Sequence, residues 1–431
     1  MHIFLNALGA TCGSGVTYLR NVLPHLSAQA GIHTTVAVNR KFRDELAALG
    51  EFSFCDFDVP AGVARRFWFE QTALPTFIRR SGADVLISAG NFAVRNSPVP
   101  QILLSGNSLY TSEGFSRDLH CRREYRLLLD HQIKSFFARQ SIFWSDATVA
   151  PSQFFADELR RWTGREVLRI YHGFDRRVFF ADERLPPEVQ QKLDSACDSL
   201  RLLFVSHYNY YRNFETLLSA IPMLRVRLGK KVCLFLTCQL RTQDNPGSFR
   251  ADRAAALVRQ LRIEKEVVEL GPIPYSSLHH IYKACDLYVS AAYAESFAHP
   301  LVEAMACGLP VVASDLPVHR EICGPAAIYF PCFSAEELCA RIMSVVESTD
   351  LHQELSRNAR VRSIDFSWAR HIDQLLSVAA EFVQAPAARS QIRASQRLAI
   401  PGTQMRLKQK ICMSSSQEPR TGNHGNAASA L

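Results

Sequence analysis

Short apolar runs alternate with amphipathic stretches of helical period along most of this chain, and after one break the whole alternation starts again. A chain patterned in this way folds as parallel sheets covered by helices on both faces, because each apolar run needs burial on two sides. In the first half the runs are IFLNAL, TTVAVN, DVLISAG, PQILLSG, ATVAPS and VLRIYHG, six strands that fill a Rossmann-like domain. Stretches such as VTYLRNVLPHLSAQ and SQFFADELRRW supply the crossover helices. ADERLPPEVQQKLDSACDSL has adjacent prolines, several acids and no strand pattern, so it reads as a linker. LRLLFVS, KVCLFLT, EVVELG, DLYVSA, PVVAS and AIYF then repeat the plan. The expected boundaries are 1–180 for the first domain, 181–200 for the linker and 201–365 for the second domain. A last amphipathic helix covers 366–384, and a tail poor in large apolar residues, expected to be disordered, covers 385–431. A length of 431 residues agrees with two domains, since single cores rarely grow past about 250–300 residues.

The formal charge of +8 is unevenly spread. The tail holds seven basic residues against Glu418 alone, which leaves the other 384 residues at only +2. A near-neutral body argues against a nucleic-acid-binding fold, which spreads Lys and Arg over a folded face. The tail itself suits an anionic surface. Twelve cysteines occur singly, with no CxxC pair and no zinc spacing, as expected of buried free thiols in a reducing compartment. MHIFLNALGATCGSG lacks a basic leader region and reads as a first strand, and no apolar run approaches the roughly 18 residues of a membrane span. The expected location is the cytoplasm, with at most peripheral contact at the inner face of a membrane.

The chemistry concentrates in AAYAESFAHPLVEAMACGLPVVASD. Glu295 and Glu303 stand eight apart but cannot share a helix, because Pro300 between them favours a helix start. Glu295 is therefore expected in the loop after the strand DLYVSA. Glu303 is expected on the first turn of a helix running from Pro300 to about Cys307 and stopped by Gly308. Backbone N–H groups from Phe297 to Leu301, with the positive end of the helix dipole, then converge on one volume that attracts phosphate. Carboxylates flanking such a site are useful when each is aimed at hydroxyls, a ribose diol for one and a sugar ring for the other. The bland alternative, two surface glutamates beside a helix, leaves the Gly and Pro punctuation unexplained.

This segment resembles family 4 of the retaining glycosyltransferases (glycosyl transferases group 1), in which two glutamates separated by seven residues form the donor signature. The resemblance implies the GT-B fold, an α/β architecture of two Rossmann-like domains facing across a cleft, with the helix containing Trp368 crossing back to the first domain. It implies that Glu303 holds the nucleotide ribose and that Glu295 faces the transferred sugar. Ser296, Phe297, Ala298, His299 and Leu301 would surround the sugar and diphosphate. FVSHYNYYRNFETLLSA looks like the family's diphosphate grip, with Arg212 present and Tyr211 where a first basic residue often stands. The backbone from Gly271 through Ile273 would lie near the base, and CGSGVTYLRNVL, with Gly13 and Gly15, is similar to the first domain's glycine turn. Where the family often has a sugar-facing histidine, this chain has Ser105, Gly106 and Asn107, so Asn107 takes that place as a hydrogen-bond donor.

Other signals are weaker. Asp56 and Asp58 spell a DxD, but they follow a strand-like run in the first domain and read as a turn rather than a metal site. Arg117, Arg122, Arg123, Arg126 and Tyr125 form a basic cluster suited either to an anionic acceptor or to a solvated helix face. His131, His279 and His280 lack partners at ligand spacing. The expected activity is transfer of a sugar from a nucleoside-diphosphate sugar to a glycan, lipid-linked or small-molecule hydroxyl, as a hexosyltransferase without metal or cofactor. The alternatives are a GT-B epimerase or hydrolase of sugar nucleotides, and a non-catalytic nucleotide-sugar-binding subunit.

Overall fold

The computed structural model describes residues 1–10, 14–58, 62–181, 183–196, 198–241 and 249–384. Among them are two wholly parallel sheets. The first comprises β1 (His2–Asn6), β2 (His33–Asn39), β3 (Ser53–Phe57), β4 (Val85–Ser88), β5 (Gln101–Leu104), β6 (Ala147–Ala150) and β7 (Leu168–Arg169), in the order β3-β2-β1-β4-β5-β6-β7. The second comprises β8 (Leu200–Phe204), β9 (Val232–Leu236), β10 (Val267–Glu269), β11 (Leu287–Ser290), β12 (Val311–Ser314) and β13 (Ala327–Phe330), in the order β10-β9-β8-β11-β12-β13. Six strands are expected in the first domain and seven are found. The added one, β3, is an edge strand whose SFCDF residues are only half buried.

The central strands are buried on both faces. Every residue of β4, β11 and β12 is out of solvent, as strands covered by helices on two sides must be. The helices supply matching stripes. In Ser14–Ser27, residues Leu19, Val22, Leu23 and Leu26 are buried at helical spacing against the first sheet. The segment read as a linker holds a helix, Pro187–Asp194, because Val189 and Leu193 share one face and enter the core of the second domain.

The helix Trp368–Gln384 returns to the first domain. Trp368, Ile372, Leu375 and Ala379 are buried in one cluster with Ile3, Leu5 and Leu23. Its entry is fitted to Gly173: a Cβ there would lie 2.1 Å from the backbone nitrogen of Trp368. Contact of backbone against backbone leaves no flexible atom to yield. Gly173→Ala should therefore destabilise the protein by about 1–3 kcal/mol, the range for overpacking a core. Urea denaturation of the variant beside the parent measures this.

Candidate active site

In the second sheet the chain runs outward from β8 through β9 to β10, then reverses and continues from β11 through β12 to β13. Loops leaving the carboxyl ends of β8 and β11 consequently part in opposite directions, and a crevice opens between them. The loop after β8 carries the turn Tyr210–Arg212, and the loop after β11 carries Glu295. The two are tied together by the Tyr293 N–H, which donates to the Tyr211 carbonyl at 2.9 Å. Across the crevice mouth Arg212 Nη1 donates to Glu295 Oε1 as an ion pair, with both side chains mostly buried. Two groups assigned separately, one to the diphosphate and one to the sugar, thus form one unit.

The helix after Glu295 runs His299–Cys307, with Pro300 in its first turn and Gly308 in the left-handed conformation after its end. It starts one residue earlier than expected, so Glu303 lies in its middle rather than on its first turn. Ala298, before the helix, has a φ of 67°. Residues other than glycine seldom take that conformation, and such strain gathers at binding sites. Leu301 differs from expectation: its N–H is already bonded to the Ala298 carbonyl at 3.0 Å, and its side chain is buried. The N–H groups of Phe297, Ala298 and His299 have no partner among the described residues.

Glu303 is only 6% exposed. Tyr282 Oη donates to its Oε2 at 2.8 Å, and Tyr275 donates to the same carboxyl. Burial nevertheless prevails, and the carboxyl titrates at about 7 against an ordinary 4.5, with the two tyrosines holding the value down. A small pocket of about 10 Å³, room for one water, lies between Glu303 and Tyr275 on one side and Thr17 and Asn21 on the first helix of the first domain on the other. Gly15 packs its Cα side against Ala10, where a Cβ would come within 3.0 Å, while Gly13 is outside the described residues.

Contacts between the domains anchor the loop that carries Glu295. Ser296 Oγ donates to the Gly106 carbonyl at 2.6 Å, and the Ser296 carbonyl accepts from Ser152 Oγ at 2.7 Å. Nearby, the Glu321 carboxylate accepts from the N–H groups of Gln153 and Phe154 at 2.6 and 2.8 Å, capping the first-domain helix Gln153–Thr163. Behind the loop His172, His299, His371, Phe297, Tyr18 and Trp368 form a buried ring cluster. Burial lowers all three imidazoles, His299 and His371 to about 4, so the cluster is neutral at pH 7. His371 Nδ1 donates to the Tyr171 carbonyl at 2.8 Å and Nε2 accepts from Tyr18 Oη at 2.9 Å.

The remaining candidates fall as follows. Asn107 uses its side-chain oxygen to cap the turn Ser108–Thr111, accepting from the Leu109 N–H at 3.1 Å. Gly271 has a φ of 77°, and Ile273 packs against the second domain's core. Asp56 is on β3 and pairs with Arg40 at 3.0 Å, and no group of three metal-ligating side chains occurs among the described residues. Arg122 is drawn out of the basic cluster into pairs with Asp118 and Glu215. The two tyrosines on Glu303 and the histidine cluster carry no local sequence signal, because their members meet only in the fold.

Two Rossmann-like domains facing across a site of this kind define the GT-B class, and solved structures agree. Sucrose-phosphate synthase from Thermosynechococcus elongatus superimposes with a TM-score of 0.69 at 17% identity, over 89% of this chain and 100% of that one. Anabaena HepE in complex with UDP-glucose superimposes at 0.66 and 17% identity, over 88% and 100%. At such identities the likeness is one of fold. Residues 187–362 match the family described as glycosyl transferases group 1. D-inositol 3-phosphate glycosyltransferase from Gordonia bronchialis is 29% identical over 150 residues, 34% of this chain and 33% of that protein. Matches to the curated relatives span between 30% and 58% of their lengths.

The raised Glu303 makes a test of the buried carboxyl. The folded protein holds this proton more tightly than the unfolded chain does, so the stabilisation is complete below pH 4.5 and is lost as pH rises through 7. Glu303→Gln keeps the shape without the titration. Relative to the parent it should gain roughly 2–3 kcal/mol between pH 5 and pH 8. Urea midpoints at the two pH values read the difference, and equal differences at both would refute the burial account.

Proposed function

We propose that the chain transfers a sugar from a nucleoside-diphosphate sugar to an acceptor hydroxyl with retention of configuration. The observation that carries this reading is the Arg212–Glu295 pair at the crevice between β8 and β11, beside the unpaired N–H groups that begin the helix His299–Cys307. Arg212 and those N–H groups suit a diphosphate, and no metal is then required for charge. Glu303, held by tyrosines, suits the ribose diol. Glu295 faces the anomeric carbon, where positive charge grows as the bond to phosphate breaks. The acceptor oxygen bonds to that carbon from the same face, and its proton passes to the leaving phosphate. The match to glycosyl transferases group 1 supports the activity, and the UDP-glucose complex of HepE supports the donor class.

Substitutions separate the roles. Glu303→Ala should raise the donor KM about ten- to a hundredfold, the worth of hydrogen bonds to a charged group. Glu295→Ala should lower kcat on the order of a hundredfold, and Arg212→Ala should damage both. Steady-state kinetics beside calorimetry with UDP distinguishes these cases. Should both glutamate variants bind and turn over like the parent, the donor assignment is wrong.

A lipid-linked acceptor is supported by the first domain's surface. No described helix is long and apolar enough to cross a membrane. On the helix Tyr125–Trp144, however, Tyr125, Leu129, Ile133 and Phe136 are 57%, 60%, 50% and 58% exposed along one face, beside exposed Arg123 and Arg126. Its other face buries His131, Ala138 and Ile142. An apolar stripe edged with arginine suits an anionic bilayer surface; the basic tail, a second candidate for that contact, lies outside the described residues. Changing Leu129, Ile133 and Phe136 together to Ser should release the protein from phosphatidylglycerol vesicles in a flotation assay and spare UDP binding. Unchanged flotation would exclude this face.

A further inference from the structure

A second pocket, of about 440 Å³, borders the loops that carry Arg212 and Glu295 without including either residue. That volume lies within the range of small-molecule sites. One wall is Asp118 on the first-domain helix Glu113–Cys121 and Arg122 just past its end, and the opposite wall is Asn213 and Glu215 at the start of the helix Phe214–Leu228. The rim is Tyr293, Phe333 and Glu336.

Three observations show a built site. Asn213 is only 4% exposed and has a φ of 55°. Its Oδ1 accepts from Thr216 Oγ1 at 3.0 Å, which fixes the amide, and its Nδ2 is a buried donor with no partner among the described residues. An orphaned buried donor of this kind is costly unless a ligand or solvent accepts from it. Phe333 is 64% exposed on left-handed backbone, φ 68°, and its ring is tilted 33° from that of Tyr293 with centroids 5.3 Å apart. Two tilted rings are thus presented at the pocket mouth at a conformational cost.

The charges define what fits. Arg122 Nε donates to Asp118 at 2.8 Å and Nη1 lies 2.9 Å from Glu215, while Tyr293 Oη donates to Asp118 at 2.7 Å. Arg122 thus offsets one of the two inner negative charges, and both carboxylates are held in place and remain acceptors. Glu336 is the exposed carboxylate at the rim. An anionic ligand meets three carboxylates and one guanidinium and is disfavoured. A polyhydroxylated ring matches instead: its hydroxyls donate to fixed carboxylates, one accepts from Asn213 Nδ2, and its C–H face lies on the aromatic pair. We propose that this pocket binds an uncharged saccharide, at a site separate from the donor crevice.

The assignment needs neither a donor nor turnover, so it stands or falls apart from the transferase reading. Maltotriose and mannotriose, titrated into the full-length protein and followed by saturation-transfer NMR and calorimetry, are the probes. At least one should bind, and Phe333→Ala and Glu336→Gln should each weaken it about tenfold. Phe333→Leu, which keeps apolar bulk without a flat ring, should behave like the Ala variant. Both of the residues changed are exposed at the surface, so thermal midpoints should match the parent, and UDP binding should be unaffected. Binding of neither trisaccharide overturns the proposal. So does binding that all three variants retain in full, or a preference for choline over both sugars that depends on the same residues.

Discussion

A parallel sheet covered on both faces has one place that its helices cannot close, the point where the strand order reverses. In the second domain that point lies between β8 and β11, and two departures from regular backbone stand beside it. Asn213 and Ala298, both left-handed without being glycine, stand at the starts of the two helices that flank it. The strain is local and the return is directional. At Ala298 the turn leaves the N–H groups of Phe297, Ala298 and His299 without a partner among the described residues, free for a ligand.

The charged groups at this point depend on one another. Arg212 and Glu295 are each mostly out of water, and removing either leaves the other buried without a counter-charge, which costs far more than the pair contributes. Glu303 has no cation beside it and relies on two phenols. Its environment sets a carboxyl on the edge of ionisation at neutral pH, so that recruitment of a hydroxyl-bearing partner and loss of a proton become linked events. The histidines behind it are kept neutral by the same exclusion of water.

Much of this is legible in the chain itself because the informative patterns are local. All six strands of the second domain follow from their apolar runs, and the helix after Glu295 follows from Pro300 and Gly308. β3 escapes the count because an edge strand buries half of what a central one does, so SFCDF lacks the continuous apolar character of VLIS or VVAS. The tyrosines on Glu303 and the bonds from Ser152 and Ser296 cannot be read, since residues as far as 190 apart meet there only after both domains fold. Likewise Glu303 itself falls on the expected helix but in a more closed setting: periodicity gives a residue's face, whereas burial depends on what packs over it.

The Glu321 carboxylate is a helix cap supplied from outside the domain that needs it. Capping groups normally sit on the chain just before their helix, and Ser152 fills that position here, so Glu321 is additional and comes from the opposite domain. Hinge opening would therefore strip two amides at the head of the helix Gln153–Thr163 of their acceptor, a loss of about 0.5–2 kcal/mol. The same motion breaks the Ser152 bond to Ser296 one residue earlier. Separation of the domains and fraying of that helix end are thus a single mechanical event, and the first turn of the helix acts as a latch that reports whether the cleft is shut.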